Sequence, residues 1–257
     1  MKKLKFLGAV AMATVLLTSC LDGGSNENSV NGFGVIDLSM EAMANVAYID
    51  DYTQVYSPQF KDLSIGDCIF FTSTLNRDDP ANDGSKKYWT ISNAVVTNRL
   101  DKSDEFIANL DTANIITDEI ATLDAGLLPA ITEYSYTIKN YLFIGSSHEK
   151  VATDQINRYI LQYDPSLEPQ DVEGKRVYDF FLRVVKVSDG KGIAGTNPFN
   201  YTFNTRGYFK TLQSKETAAG KDLLNIRINY LKSYDETTKA KTWGKSQVYS
   251  TKIPKES

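Results

Sequence analysis

The chain is built of short runs in which apolar and polar residues alternate, the two-residue period of strands. Residues 33–38 and 45–50 alternate in this way. Residues 68–72 form a continuous apolar run, and residues 88–96 are rich in β-branched and aromatic side chains, both marks of strands. The polar stretch 76–84 between those two closes on Asp83-Gly84, a turn pair, which predicts a hairpin. From 104 to 131 the pattern changes. Ile115, Ile116, Ile120, Leu123, Leu127 and Leu128 recur at roughly helical spacing and stop before Pro129, which predicts a short helical or irregular connector. Strand patterns resume at 133–144, 158–163, 176–187, 201–203, 223–231 and 246–253. Within 226–230, Ile226, Ile228 and Tyr230 share one face and Arg227 and Asn229 the other, the signature of a strand with one wet face. Short strands at this spacing predict an all-β protein with two β modules, each a small barrel or a sandwich.

The first residues stand apart from this. Met-Lys-Lys-Leu-Lys precedes an apolar run from Phe6 to Leu17 that is shorter than the roughly 20 residues a bilayer span needs. Leu17-Thr18-Ser19-Cys20 then resembles a bacterial lipobox. Residues 1–19 are therefore expected to be a signal peptide, with Cys20 the lipid-attachment residue and anchor. Leu21 after the cysteine leans towards sorting to the outer membrane, on its periplasmic or cell-surface face. Residues 20–32, polar and rich in Gly, Ser and Asn, are expected to be a tether.

Composition narrows the function. Removing residues 1–19 leaves 238 of 257 residues, enough for real cores. Losing Lys2, Lys3 and Lys5 takes the formal charge from −4 to −7. Phosphate contacts need clustered Lys and Arg, so no nucleic-acid partner is expected. With Cys20 lipidated, Cys68 has no intramolecular partner and reads as a small core residue.

No motif supports catalysis, a metal or a cofactor. His148 is the one histidine, so a multi-histidine metal site is impossible; in Gly145-Ser-Ser-His-Glu149 it reads as a residue at a loop edge after a strand. Gly190-Lys-Gly-Ile-Ala-Gly195 has the letters of a dinucleotide fingerprint but no helix after it, and reads as a plain glycine loop. Asp79 to Gly84 resembles a calcium loop, yet Ala81 occupies a ligand position and Thr90 stands where the bidentate glutamate is needed. With 15 Tyr, 12 Phe and 2 Trp the chain could stack on sugars, though aromatics also suit strands. Trp89 reads as core. Trp243, in the polar stretch 241–245, reads as exposed and as the candidate ligand contact. Asp111-Thr112-Ala113 fits an O-glycosylation tripeptide, making Thr112 a candidate acceptor.

Taken in order, the leader ending at Cys20, Gly32-Phe-Gly-Val-Ile, Tyr48-Ile-Asp-Asp, Leu63-Ser-Ile-Gly-Asp-Cys-Ile-Phe, Ile115-Ile-Thr-Asp-Glu-Ile, Tyr141-Leu-Phe-Ile-Gly, Leu182-Arg-Val-Val-Lys-Val-Ser-Asp-Gly and Asn225-Ile-Arg-Ile-Asn-Tyr resemble the NigD-like lipoproteins of Bacteroidota. The resemblance implies an OB-type barrel, placed at 33–103, and an antiparallel β-sandwich at 132–257, joined by the connector 104–131. It carries no catalytic residues and suggests an immunity-like role beside a bacteriocin. The expectation is thus a non-enzymatic envelope lipoprotein that binds a protein or peptide. The alternatives are a glycan-binding surface lipoprotein and a structural or adhesin subunit.

Overall fold

The computed structural model describes residues 27–166, 168–235, 237, 238 and 240–254. The leader, Cys20 and most of the expected tether lie outside them. The first sheet contains β1 (Glu27–Ser39), β2 (Ala44–Tyr48), β3 (Gln54–Tyr56), β4 (Cys68–Asn76), β5 (Tyr88–Thr90) and β6 (Ser92–Arg99), ordered β5-β3-β2-β1-β4-β6. Its two ends, β5 and β6, are one stretch of chain interrupted only at Ile91. That stretch pairs parallel with β3 at its start and antiparallel with β4 at its end, so the sheet closes on itself. This is the strand order of an OB barrel.

β1 begins six residues before 33. Glu27 to Gly32 pair with Asn76 to Phe71, so the end of the expected tether is in fact strand. Polar Asn and Ser disguised it, because Val30 is the one apolar side chain that this part of the strand buries. The core of β1 does not alternate in burial; 32–36 are all buried. One face, with Val30 and Ile36, fills the barrel. The other, with Phe33 and Val35, packs outside it against the second module. β4 divides in the same way: Ile69 and Phe71 face inward, while Cys68 and Phe70 face the junction.

The second module is two facing sheets. One contains β7 (Asp101–Ser103), β9 (Asp124–Leu127), β10 (Thr137–Ile138), β11 (Tyr141–Val151) and β15 (Gly195–Asn204). The other contains β8 (Phe106–Ile107), β12 (Ile156–Tyr163), β13 (Gln170–Val172), β14 (Lys175–Ser188), β16 (Leu223–Tyr234), β17 (Lys241–Lys245) and β18 (Tyr249–Lys252). Between them lies a core of inward side chains from both, among them Leu142, Ile144, Leu161, Phe180, Leu182, Phe203, Ile226 and Ile228. The sandwich is antiparallel apart from short pairings of β7 and β8 and the central pair β14–β16. That pair is parallel because the chain between them crosses to the other sheet as β15 and returns through α1 (Tyr208–Ala218).

The sequence pattern gave no sign of α1, which has a weak apolar stripe of Phe209 and Leu212 with Glu216 one turn on. The helix is held by tertiary contacts instead. Tyr208 packs edge-on to Phe106 and Phe180 and tilted against Tyr163, and Glu216 takes a two-pronged bond from Arg176 and a 2.6 Å bond from Tyr178. Gly207 and Gly220 bracket it at φ 81° and 69°, where a side chain would be strained.

The connector has no helix. Its early part supplies β8, its later part β9, and 118–123 run as a strap across one end of the sandwich. The Ile120 N–H donates to Val184 O (2.8 Å), Thr122 N–H to Leu231 O (2.7 Å) and Leu123 N–H to Ser147 O (2.8 Å). The strap thus bonds to both sheets. Its apolar residues are spaced by the needs of this crossing, which mimicked a helical period.

The modules meet in an apolar junction of Phe33, Val35, Cys68, Leu100, Leu128, Ala130, Ile138 and Phe143. Around it Lys139 pairs with Asp37 at 2.9 Å and its backbone N–H donates to Asp51 at 2.8 Å.

Candidate functional site

In an OB barrel, ligands are read by the face flanked by the β1–β2 loop and the loop between the fourth and fifth strands. Here those are the turn 40–43 and the loop 77–87. The Lys87 N–H donates to a Glu41 carboxylate oxygen at 2.9 Å, bringing the turn to the start of β5. Asn82 stitches the long loop together: its side chain donates to Asn76 O and Thr90 O and accepts from Thr90 N–H, at 2.9, 2.9 and 2.7 Å. On this frame Met40 and Met43 are 76% and 80% exposed, Leu38 is half-exposed, and Trp89 is 38% exposed. Trp89 lies opposite Val55, a barrel-core residue, yet is itself exposed and not in the core as its strand context predicted. Lys86 lies 5.5 Å over the ring of Tyr88, beside it. Methionine is adaptable, and it and tryptophan are enriched at protein interfaces. The sequence offered no signal for Met40 and Met43, because exposure of two unpatterned residues is a tertiary fact.

Trp243 is less exposed than its polar stretch predicts. It lies in β17, half-buried, edge-on to Phe181 with 5.2 Å between centroids, and 5.6 Å from the Arg183 guanidinium. It covers a buried ion pair. Arg183 and Glu119 have side chains 1% and 0% exposed and bond to each other twice. Arg183 also donates to the carbonyls of Asp111 (2.5 Å) and Asn114 (2.7 Å). Thr112, the candidate acceptor, sits in the turn so pinned. The Asp111 carboxylate accepts N–H groups of Ala113 and Asn114, both at 3.0 Å, and Thr112 is half-exposed between them.

His148 lies not at a loop edge but within β11, fully buried. Its Nδ1–H donates to Ala121 O of the strap (3.1 Å), so Nε2 accepts the Ser146 hydroxyl (2.9 Å). Ser146 is buried too, and among the described residues no carboxylate joins the network. A nucleophile needs an approach path; this pair fastens the strap. Burial lowers the His148 pKa from 6.5, outweighing the raising effect of its bond to Ala121. The neutral ring is thus favoured by folding, the folded protein binds fewer protons, and stability falls as pH drops through about 6.5 towards the folded value. Urea midpoints measured from neutral pH to about pH 5 should fall in the wild type and stay flatter in His148→Gln. Equal slopes would show that His148 does not govern this range.

The other motifs resolve into local structure. Gly190 to Gly195 leads into strand β15, and the Asp154 carboxylate already takes the N–H groups of Lys191 and Gly192 at 3.0 Å each. A Cβ on Gly190 would meet Asp154 at 2.3 Å and Ala152 at 2.6 Å, so glycine is required by this close approach. Asp79 and Asp83 are spent on the N–H groups of Ala81 and Ser85. Cys68 is buried, and burial pushes its thiol up to about 11. Among the described residues no group of three His, Cys, Asp or Glu is placed to hold a metal.

This barrel has known counterparts. Residues 24–97 match the family model of the lipoprotein OB domain. The whole described fold is similar to the crystal structure of an uncharacterized protein from Parabacteroides merdae ATCC 43184. The TM-score is 0.75 at 23% identity, covering 88% of this chain and 100% of that one. A candidate lipoprotein from Bacteroides fragilis NCTC 9343 gives 0.51 at 8% identity, covering 88% and 99%. A NigD-like immunity protein from Bacteroides caccae ATCC 43185 gives 0.39 at 12% identity, covering 87% and 93%. The first two likenesses show the fold alone. No curated protein matches the chain. Neither the family model nor these structures names an enzyme.

Proposed function

We propose that this is a lipid-anchored envelope protein, held to the outer membrane through Cys20, that binds a protein or peptide on the mouth of its OB barrel. The observation that carries the reading is the exposure of Met40, Met43 and Trp89 on a face whose loops are fixed by Glu41 and Asn82. The lipoprotein OB domain match supports the anchor, as does the lipobox. β1 begins at Glu27, so only residues 21–26 separate the anchored cysteine from the barrel. Seven chain steps span at most about 25 Å, so the barrel is held near the membrane surface. The immunity role of NigD-like proteins fits a barrier of this kind against a peptide or protein toxin. The glycan alternative rests on Trp243, whose half-buried ring lies against Phe181 and Arg183.

Cys20→Ala should move the exported protein from the membrane fraction to the soluble one, since two or more acyl chains anchor stably and nothing remaining does. Unchanged fractionation would remove the anchor from this account. For binding, a Met40→Asp/Met43→Asp variant should keep its melting temperature yet fail to recover the partner that the soluble domain captures from producer-strain culture fluid. Interface hot spots cost about 2 kcal/mol or more when lost, roughly a thirtyfold loss of affinity. Retention on polysaccharide with no protein recovered would favour the glycan reading instead.

A further inference from the structure

Where the strap crosses the sandwich end, a cleft of about 260 Å³ opens on its outer side. It is formed by sandwich and strap residues alone and is separate from the barrel mouth. The strap's backbone N–H groups at Ile120, Thr122 and Leu123 are all bonded to the two sheets. Leu123, 43% exposed, lines the cleft together with Ile120, which also packs against the sandwich core, and the buried Val151. The rim is charged. Lys150, Lys186 and Lys232 line it, with Glu149 and Asp189. Lys186 is engaged by Asp189 at 3.0 Å. Lys150 and Lys232 have no ion-pair partner among the described residues. Asp118 also acts on Lys186, so the positive charge left over at the rim is that of Lys150 and Lys232, on a protein whose net charge is −4.

Lys150 reaches this rim through a break in the sheet. The β11–β15 register shifts between His148 and Val151, and Lys150 adopts φ 58°, uncommon for a residue with a side chain. Bulges of this kind re-aim side chains beside sites.

We propose that this cleft binds a small organic monoanion, a carboxylate with a compact apolar body. Lys150 and Lys232 hold the carboxylate, and Ile120, Leu123 and Val151 pack the body. The volume lies just under the range of about 300–1,000 Å³ of drug-sized sites, which sets the ligand as smaller than a drug. Either a free acid or the C-terminus of a peptide ending in an aliphatic residue has this chemistry.

The test is titration of the ¹⁵N-labelled mature protein with hexanoate, N-acetylleucine, N-acetylleucinamide and hexylammonium, followed by amide shifts. Both carboxylates should give saturable shifts confined to the strap, 149–155 and Lys232. The amide and the ammonium should not. Tighter binding of hexanoate would identify a free acid, and tighter binding of N-acetylleucine a peptide end. A charge-assisted bond is worth about 1.5–3 kcal/mol, so Lys150→Gln and Lys232→Gln should each weaken binding about tenfold or more. Both positions are exposed, and unchanged melting temperatures would confirm the variants are folded. Saturable binding of hexylammonium as strong as hexanoate, binding undiminished in both lysine variants, or no saturable shift with either acid would overturn the proposal.

Discussion

Arg183→Ala should destabilise the protein by about 3–5 kcal/mol, the cost of leaving one member of a buried ion pair without the other. Arg183 is bound by the Glu119 carboxylate and by the carbonyls of Asp111 and Asn114, under the ring of Trp243. Its loss leaves the buried Glu119 charge uncompensated and unfastens 111–119 from β14. Urea midpoints should show the loss, and amide exchange should rise first at 118–123. The double variant Arg183→Met/Glu119→Leu should recover most of it, because well-packed apolar replacements of a buried pair are often neutral or better. A loss within about 0–1 kcal/mol for Arg183→Ala, typical of surface pairs, would mean that the pair does not hold the strap.

Phe143→Ala should cost a similar amount, about 3–5 kcal/mol, as a large side chain is deleted from a filled core. The distinctive effect is on the junction. Phe143 lies in β11 of the sandwich but packs against Phe33 of the barrel with 5.4 Å between ring centroids. Cys68, in the same cluster, reports on its integrity. In the wild type its thiol is buried, shifted up to about 11 and expected to be inert to thiol reagents at neutral pH. In Phe143→Ala it should label readily while the protein remains folded. If stability falls but Cys68 stays inert, Phe143 supports the sandwich alone and the modules are joined by other contacts.

Several features of this protein were legible in the sequence because they are local. The two-residue period located the core of most long strands, and the Asp83-Gly84 turn placed a reversal between β4 and β6, which do pair. The inward face Ile226, Ile228 and Tyr230 was read correctly. The absence of a helix after Gly195 was equally readable, since it depends on the residues that follow. Where the reading failed, the cause was a partner distant in sequence. The opposite face of β16 is not wet: Asn229 is buried and, with Arg227, bonds to Asp179 of β14, so polar residues there mark a hydrogen-bonded layer. His148 and Trp243 stand in polar stretches, yet the strap covers one and Phe181 flanks the other. Periodicity reports which residues share a face. It does not report what lies against that face. The sequence by itself determined most of the long strands and which of their residues share a face. Only the tertiary structure decided that both faces of β1 are buried, that 118–123 close the sandwich, and that Met40, Met43 and Trp89 are left uncovered, because each depends on which segments, far apart along the chain, meet in space.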